Sequence, residues 1–324
     1  KGGEAMRILV WHVHGAWTTS FVQGGHEYLV PVTPDRGPDG RGRAVTYPWP
    51  ESVREVPYDR LAGEEVDVAV YQRPHEIELA RRWLRRTVPG VYVEHNTPAG
   101  DVPRTRHPLA DRDDIPLVHV THFNALFWDS GRAPTRVIEH GVVDPGHRYT
   151  GELPRAGVVV NEPIRRWRVA GTDLLPAFAA AAPLDVFGMR VTGLPAALGR
   201  AGELRVHEDL PQRVMHERLA RRRVYLHPYR WTSLGLALIE AMLLGMPVVA
   251  LAATEAVEAV PPEAGVVSTR LPVLVEAVRE FTADPELAAR AGKAARAAAL
   301  ARYGLGRFLA EWDRLLEEVV RAAR

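Results

Sequence analysis

The sequence predicts an α/β protein made of two Rossmann-like domains that face each other across a cleft. Short apolar runs, typical of buried parallel strands, alternate with helical patterns along the chain. This alternation occurs twice, on either side of a stretch at residues 141–154 that is rich in Gly, Pro and Asp. The 324 residues, 46% of them hydrophobic, are sufficient for two cores of ordinary size. Alternating strands and helices favour parallel sheets covered on both faces.

The first half of the chain contains six apolar runs bounded by polar or turn-forming residues. The first run is followed by His14 and Gly15, which predicts a buried strand that ends in a loop. Strands are predicted at residues 7–13, 28–32, 66–71, 90–94, 117–121 and 136–139, and helices at 76–86 and 124–130. We therefore expect a first domain over residues 6–150.

A second series of the same kind follows the predicted linker. Strands are predicted at residues 157–160, 184–187, 224–227 and 247–251, and helices at 172–181, 211–222, 234–244, 271–302 and 304–324. We expect the second domain to span residues 151–302. The C-terminal helix, 303–324, is expected to pack back toward the first domain.

Composition excludes several classes of protein. Lys plus Arg number 41 and Asp plus Glu number 40, so the net charge of +1 does not favour nucleic acid as a partner. The absence of cysteine excludes disulfides and Cys-based metal sites and fits a cytoplasmic protein. No metal is expected, because the His residues show no ligand spacing. Basic runs at 81–86 and 221–223 are expected to be solvated helix faces, with peripheral contact to the inner face of a membrane as the alternative.

The most informative segment is residues 224–250, where a strand leads through a loop and a helix to a second strand. Thr232 and Ser233 lie where a helix cap is expected, and Gly235 allows close approach to the backbone. Free N–H groups and the helix dipole favour an anion there, for which a diphosphate is the natural candidate. Glu240, further along the helix, can accept two hydrogen bonds from a ribose diol. The alternative is a capped core helix whose Glu240 reaches solvent.

This segment resembles the signature of the family 4 retaining glycosyltransferases, which have the GT-B architecture. The signature consists of a Glu, seven residues, a second Glu followed by Ala-Met, and then a Gly and Pro-Val-Val. Residues 233–242 and 245–250 are similar to it. Weaker resemblances occur in the family's order at residues 25–34, 136–144, 171–175 and 263–267.

The resemblance implies a retaining glycosyltransferase of the hexosyltransferase type. Such an enzyme moves a sugar from a nucleotide diphosphate sugar, used as co-substrate, to a hydroxyl acceptor, and no further cofactor is implied. The resemblance places the nucleotide ribose at Glu240. It places the diphosphate or the sugar hydroxyls at Ser233 and at backbone amides around Leu234, Gly235 and Leu236.

Two positions depart from the family's pattern. The first Glu of the signature falls at Thr232, whose neutral hydroxyl cannot replace a charge beside the transferred sugar. The lysine expected on the second domain is Ala170. Arg165, Arg166 and Arg168 lie nearby, and guanidinium groups pair well with phosphate. We expect Arg166 to take this role first and Arg168 second, with an exposed basic loop as the alternative.

Two residues of the first domain are candidates for the acceptor side. The resemblance places Gly15 where a loop approaches the donor phosphate, and a plain tight turn is the alternative. His95 follows a predicted strand and matches a His that contacts the donor sugar in the family. A structural role remains the alternative for His95. Thr121, His122 and His140 also lie at strand ends and are expected to be structural.

The sequence thus predicts sugar transfer from a nucleotide-sugar donor to a hydroxyl on a sugar, a natural product or a lipid-linked acceptor. Two other functions remain open. Thr232 and Ala170 remove charges that the family uses, so the chain could be a non-catalytic partner that binds nucleotide or glycan. A nucleotide-sugar epimerase of the same architecture would interconvert the sugar without any acceptor.

Overall fold

The computed structural model describes residues 3–199 and 204–324. The chain divides into two compact units, one made of the N-terminal part up to Val143 with Leu305–Arg324, the other of Asp144–Gly304. The divisions thus fall at 143/144 and 304/305, where 150/151 and 302/303 were expected. Each unit contains one sheet whose neighbouring strands are all parallel. The predicted class, two parallel α/β domains, is confirmed.

The N-terminal unit is built on a seven-stranded sheet. Its strands and first helices are β1 (Arg7–Val10), α1 (Gly15–Phe21), β2 (Glu27–Val32), β3 (Val53–Pro57), β4 (Val68–Tyr71), α2 (His75–Leu84), β5 (Gly90–Glu94), β6 (Leu117–His119), α3 (His122–Phe127) and β7 (Thr135–Val137). The strand order is β3-β2-β1-β4-β5-β6-β7. The order reverses between β1 and β4, and ligands of parallel sheets bind beyond the carboxyl ends of strands at such a switch point.

The C-terminal unit repeats this plan with six strands. Its elements are β8 (Leu153–Val159), α4 (Trp167–Ala170), α5 (Leu175–Ala179), β9 (Leu184–Gly188), α6 (Leu194–Ala197), β10 (Leu204–Glu208), α7 (Gln212–Leu219), β11 (Arg222–His227), α8 (Leu236–Leu244), β12 (Val248–Leu251), α9 (Ala256–Ala259), β13 (Gly265–Ser268), α10 (Leu271–Ala283) and α11 (Pro285–Arg302). The strand order is β10-β9-β8-β11-β12-β13, so the switch point lies between β8 and β11.

The last helix, α12 (Leu305–Ala322), packs on the N-terminal unit, as predicted. Its buried face includes Phe308 and Trp312, which are 0% and 1% exposed. The Trp312 ring lies 5.6 Å from that of Trp17 and 5.3 Å from that of Phe21, centroid to centroid. Burial of these aromatic side chains away from water is the main term that holds the helix in place.

Several sequence predictions of elements are wrong. The strands β3, β10 and β13 were not predicted, and all three lie at sheet edges. Exposed polar residues interrupt the apolar run in β3 and β10, whereas β13 has only four residues, all half-buried. The helix predicted at 172–181 is a 3-10 turn, Thr172–Leu174, followed by the short α5, because Pro176 starts a new helical segment. The linker predicted at 141–154 overlaps the start of β8.

Candidate active site

Helix α8 begins at Leu236, with Gly235 in the extended conformation as its N-cap. The N-cap residue is therefore Gly235, whereas the sequence placed Thr232 and Ser233 at the cap. Both residues lie in the loop before it, where the Ser233 carbonyl accepts from the Glu255 N–H at 3.2 Å. A helix start of this kind, at the carboxyl end of a parallel strand, favours an anion.

Glycine is needed at position 235 because the ring of His227, at the end of β11, lies close to its Cα. A Cβ added at Gly235 would lie 2.9 Å from Cε1 of His227, closer than real side chains approach. Burial lowers the pKa of His227 to about 3, so the ring is neutral. The His227 ring also lies 4.8 Å from that of Tyr229, centroid to centroid. These two rings support the loop that leads to α8.

Arg166 and Arg168, which the sequence analysis ranked first and second for this role, have different surroundings. The Arg166 guanidinium carbon lies 5.4 Å from the centroid of the Tyr229 ring, and no carboxylate of the described residues pairs with it. Arg168 pairs with Asp173 at 3.1 Å. Arg230 binds the same carboxylate through two nitrogens at 2.6 and 2.8 Å. Arg166 Nη1 donates only weakly to the Asn161 carbonyl, at 3.4 Å, so Arg166 is the arginine of these two that has no carboxylate within salt-bridge distance among the described residues.

The loops after β8 and β11 are joined at the switch point. The Arg230 N–H donates to the Val169 carbonyl at 3.0 Å. Gly171 has a φ of +73°, and a Cβ there would lie 1.8 Å from the Pro228 carbonyl oxygen. Ala170, where the family has a lysine, is 2% exposed and packs in the core of this unit. The chain therefore carries no cation at that position.

Glu240 lies on α8 facing α7 and is 7% exposed. Gln212 Nε2 donates to its Oε1 at 2.8 Å, and His216 Nε2 lies 3.5 Å from its Oε2. The alternative in which Glu240 reaches solvent is excluded by this burial. A carboxylate has about four lone-pair sites, so two partners leave capacity for a ligand's hydroxyl groups.

The remaining predicted residues of this segment lie between β11 and α8. Thr232 is half-buried, and its hydroxyl has no hydrogen-bond partner within the described ranges. Ser233 and Leu234 are buried, whereas Leu236 is half-buried at the start of the helix. The structure therefore places these residues in the loop after β11, which is hydrogen-bonded to the loop after β8 that carries Arg166.

In the N-terminal unit, His95 lies directly after β5 beside residues that follow β1 and β4. Its ring centroid is 3.9 Å from that of His14 and 5.1 Å from that of Trp17. Its Nε2 lies 3.0 Å from Oε1 of Gln72. Burial lowers the pKa of His95 well below its usual value, and the pKa of His14 to about 4. Both rings are therefore neutral near pH 7.

Gly15 is the first residue of α1, so the prediction of a loop there is wrong. A Cβ at Gly15 would lie 2.9 Å from Cε2 of Tyr47. The space that the glycine leaves is thus taken by an aromatic ring of the same unit. Helix α1 was missed because its seven residues include no strong helix-start signal and no cap.

Arg73 is a residue of this site that the sequence reasoning missed. Its Nε lies 2.5 Å from Glu76 and its Nη1 lies 3.2 Å from Asp39. Glu76 is fully buried, and burial raises its pKa although the Arg73 hydrogen bond acts in the opposite direction. Gln72 and Arg73 directly follow the predicted strand 66–71, so the same strand-end rule that selected His95 could have found them.

The residues expected to be structural at other strand ends show no ligand geometry. The Thr121 hydroxyl caps α3 by accepting from the Asn124 N–H at 3.0 Å. The His140 carbonyl accepts from Arg307 at 2.7 Å, and burial lowers the pKa of its ring to about 3. Throughout the described part of the chain, no group of three or more His, Asp or Glu side chains could hold a metal ion. Nor does this part contain a helix long and apolar enough to cross a membrane.

Comparison with known proteins gives a match to one family over part of the C-terminal unit. Residues 193–298 match the family described as "Glycosyl transferases group 1", and this segment contains α7, β11 and α8. The fold of two parallel α/β units is the GT-B fold seen in solved glycosyltransferase structures.

Solved structures similar to the chain cover nearly its whole length. A sucrose-phosphate synthase from Thermosynechococcus elongatus has a TM-score of 0.73 at 14% identity, covering 98% of this chain and 100% of that chain. Anabaena HepE in complex with UDP and glucose has a TM-score of 0.69 at 16% identity, covering 97% and 100%. A glycosyltransferase from Rickettsia africae has a TM-score of 0.70 at 14% identity, covering 98% and 99%. No curated protein sequence matches the chain.

Proposed function

We propose that the protein is a retaining glycosyltransferase that moves a hexosyl group from a nucleotide diphosphate sugar to a hydroxyl acceptor. The observation that supports this most strongly is the start of α8 at the switch point of the C-terminal sheet, with Glu240 on the same helix and with Arg166 over the ring of Tyr229 in the loop before it. These features suit two parts of a nucleotide diphosphate. The start of α8 and Arg166 suit the diphosphate, and Glu240 suits the ribose.

The diphosphate would bind at the first turn of α8. Backbone N–H groups near Leu234, Gly235 and Leu236 would donate to it, and the helix dipole adds about half a positive charge. Arg166 would supply the full charge, because its guanidinium is not neutralised by a carboxylate of the described residues. These groups stabilise the departing diphosphate, and such preorganised electrostatics is usually the largest catalytic term.

Glu240 would hold the nucleotide ribose. Its carboxylate accepts a hydrogen bond from Gln212 at 2.8 Å, which holds Oε1 in place and leaves acceptor capacity for a diol. Ser233 and Arg168 lie in the same two loops and would contribute to donor binding less directly, since Arg168 already pairs with Asp173. A variant at Glu240 is thus expected to lose the contact with the ribose.

The acceptor and the transferred sugar would contact the N-terminal unit through His95 and the segment at Gly15. Thr232 would contact the sugar through its unpartnered hydroxyl in place of the carboxylate that the family has. Attack on the same face that the diphosphate leaves would retain the anomeric configuration. We propose that this reaction needs no metal, because Arg166 and the helix start neutralise the leaving group, and that it takes place in the cytoplasm.

The test is a thermal-shift and calorimetric screen with UDP, GDP, ADP, CMP and dTDP and their common sugars. One nucleotide is expected to bind, with affinity lowered about tenfold or more in Glu240→Ala, because a lost hydrogen bond to a charged group costs about 1.5–3 kcal/mol. Glu258→Ala, which removes an exposed carboxylate of the same unit, is the matched control. Absence of binding by every nucleotide, or equal affinity of Glu240→Ala and the parent, contradicts the proposal.

Thr232 and Ala170 favour a second candidate, a non-catalytic protein that binds nucleotide or glycan. In that case one nucleotide binds with the dependence on Glu240 described above, but no donor is consumed with any acceptor. Product analysis by NMR separates the candidates, because transfer yields a new glycoside of defined anomeric configuration. Activity that is unchanged by EDTA would support the metal-free reaction, and inverted product would contradict retention.

A further inference from the structure

Gln72 connects four structural elements of the N-terminal unit and is 3% exposed. It follows β4 directly, and each of its four polar groups has a partner. Its side-chain Nε2 lies 2.7 Å from the Trp11 carbonyl oxygen, and its Oε1 lies 3.0 Å from His95 Nε2. Its backbone N–H donates to Glu76 at 2.8 Å, and its carbonyl accepts from the Tyr92 hydroxyl at 3.2 Å. Such a fully bonded amide has only one stable orientation.

The direction of these bonds determines the tautomer of His95. A main-chain carbonyl only accepts hydrogen bonds, so the Gln72 nitrogen must face Trp11 and the Gln72 oxygen must face His95. That oxygen also only accepts, so Nε2 of His95 carries the proton. The neutral imidazole has one N–H, and burial keeps His95 neutral. Its Nδ1 is therefore a hydrogen-bond acceptor, and no residue of the described chain bonds to it.

We infer that Gln72 is a positioning residue that holds His95 with Nε2 protonated, so that Nδ1 accepts a hydrogen bond from a hydroxyl of the bound substrate. The role rests on the proposed function, in which His95 contacts the sugar. The His14 ring on one face of His95 and the edge contact with Trp17 restrict the plane of the His95 ring. Gln72 determines which nitrogen of His95 carries no proton. The ligand class that this geometry selects is an uncharged polyol whose hydroxyl donates a hydrogen bond, rather than a carboxylate or phosphate, which only accept.

The first experiment measures the tautomer directly in the full-length protein. Long-range ¹H–¹⁵N NMR spectra, assigned with His95→Gln, are expected to show His95 as the Nε2–H form at pH 7 and still neutral at pH 5.5. An Nδ1–H form or an imidazolium at pH 7 would overturn the inference. This result does not depend on turnover, so it stands apart from the success or failure of the proposed function.

The second experiment compares donors that lack one hydroxyl at a time in the parent protein and in Gln72→Leu. The hydroxyl that bonds His95 is expected to be worth about 3- to 10-fold in kcat/KM in the parent, the size of one neutral hydrogen bond. Removal of the same hydroxyl is expected to lower kcat/KM by less than about 2-fold in Gln72→Leu. The loss of the hydroxyl and the loss of Gln72 disrupt one interaction, so their effects are not additive. A purely structural role of Gln72 would lower activity with all donors by the same factor.

Gln23→Leu is the matched control, since Gln23 also donates to main-chain carbonyls of this unit, at 3.0 and 3.4 Å, but not to a histidine. It should leave the discrimination between donors unchanged. Identical discrimination by the parent and Gln72→Leu for every deoxy donor would overturn the inference. If Gln72→Leu does not fold, the NMR measurement on the parent decides the question.

Discussion

The guanidinium of Arg166 stacks on the ring of Tyr229 at 5.4 Å, while that of Arg168, two residues on, forms an ion pair with Asp173 at 3.1 Å. The sequence ranks Arg166 ahead of Arg168 without a physical difference between them, and the structure supplies one. An ion-paired guanidinium is neutralised before any ligand arrives, whereas a stacked one without a carboxylate partner keeps its charge. The difference makes the role of Arg166 in diphosphate binding directly testable.

Arg166→Ala is expected to lower kcat/KM about 10- to 100-fold, because it removes a charge-assisted contact worth about 1.5–3 kcal/mol. Arg168→Ala is the matched control and should lower it less than about 3-fold. The measurement is steady-state turnover with the nucleotide-sugar identified by the binding screen, at constant ionic strength. An equal or larger loss of kcat/KM in Arg168→Ala would contradict the assignment of this role to Arg166.

Gly245 ends helix α8 with a φ of +94°, and a Cβ there would lie 2.4 Å from Cδ2 of His147. Gly245→Ala is expected to lower the free energy of unfolding by about 2–4 kcal/mol, because it adds backbone strain to overlap. Gly146→Ala controls for strain alone, since Gly146 has a φ of +89° and open space around its Cα. Urea unfolding measures both variants. Equal losses of unfolding free energy in Gly245→Ala and Gly146→Ala would show that His147 moves aside without cost.

Asp185 on β9 is fully buried among Arg155, Arg222 and His207. Burial alone would raise its pKa, but hydrogen bonds from Arg155 and Arg222 outweigh burial and lower it. A carboxyl with a lowered folded-state pKa adds stability above its unfolded value of about 3.9, and this stability is lost as pH falls through the folded-state pKa. Asp185→Asn should therefore cost about 3–5 kcal/mol at pH 7, because it leaves buried charge unpaired.

The gap in unfolding free energy between the parent and Asp185→Asn is expected to narrow below pH 4. Urea titrations at pH 7, 5 and 3.5 measure it. Asp284→Asn, at the exposed cap of α11, provides a comparison of the same substitution outside the buried cluster. A gap that stays constant over this range would show that the carboxylate charge of Asp185 does not account for the stability difference.

Trp312 anchors α12 to the N-terminal unit by contact with Trp17 and Phe21. Trp312→Ala is expected to cost about 3–5 kcal/mol, the usual range for truncating a buried aromatic side chain. Arg314→Ala, on the exposed face of the same helix, should change stability by less than about 0.5 kcal/mol. Urea unfolding monitored by tryptophan fluorescence compares the two. A small loss in Trp312→Ala would mean that the helix is held by its other contacts.

The central strands and the class of fold could be predicted from local pattern, because strands buried on both faces are short continuous apolar runs. The edge strands β3 and β10 could not, since their exposed residues are polar and resemble loops, and β13 is a half-buried strand of only four residues. The same limit applies to the site. The helix start near Gly235 was evident from the sequence, but the contact between Gly235 and His227 was not, because it joins residues of different elements.

Composition and local order therefore determined the two α/β domains, the helix with Glu240 and the pair of candidate arginines. Tertiary packing decided which of Arg166 and Arg168 is free, which partners hold Glu240, and that Tyr47 fills the space beside Gly15. Local patterns depend on neighbours a few positions apart, which the sequence displays. Ion pairs and ring contacts depend on distances between elements, which exist only once the sheets have assembled.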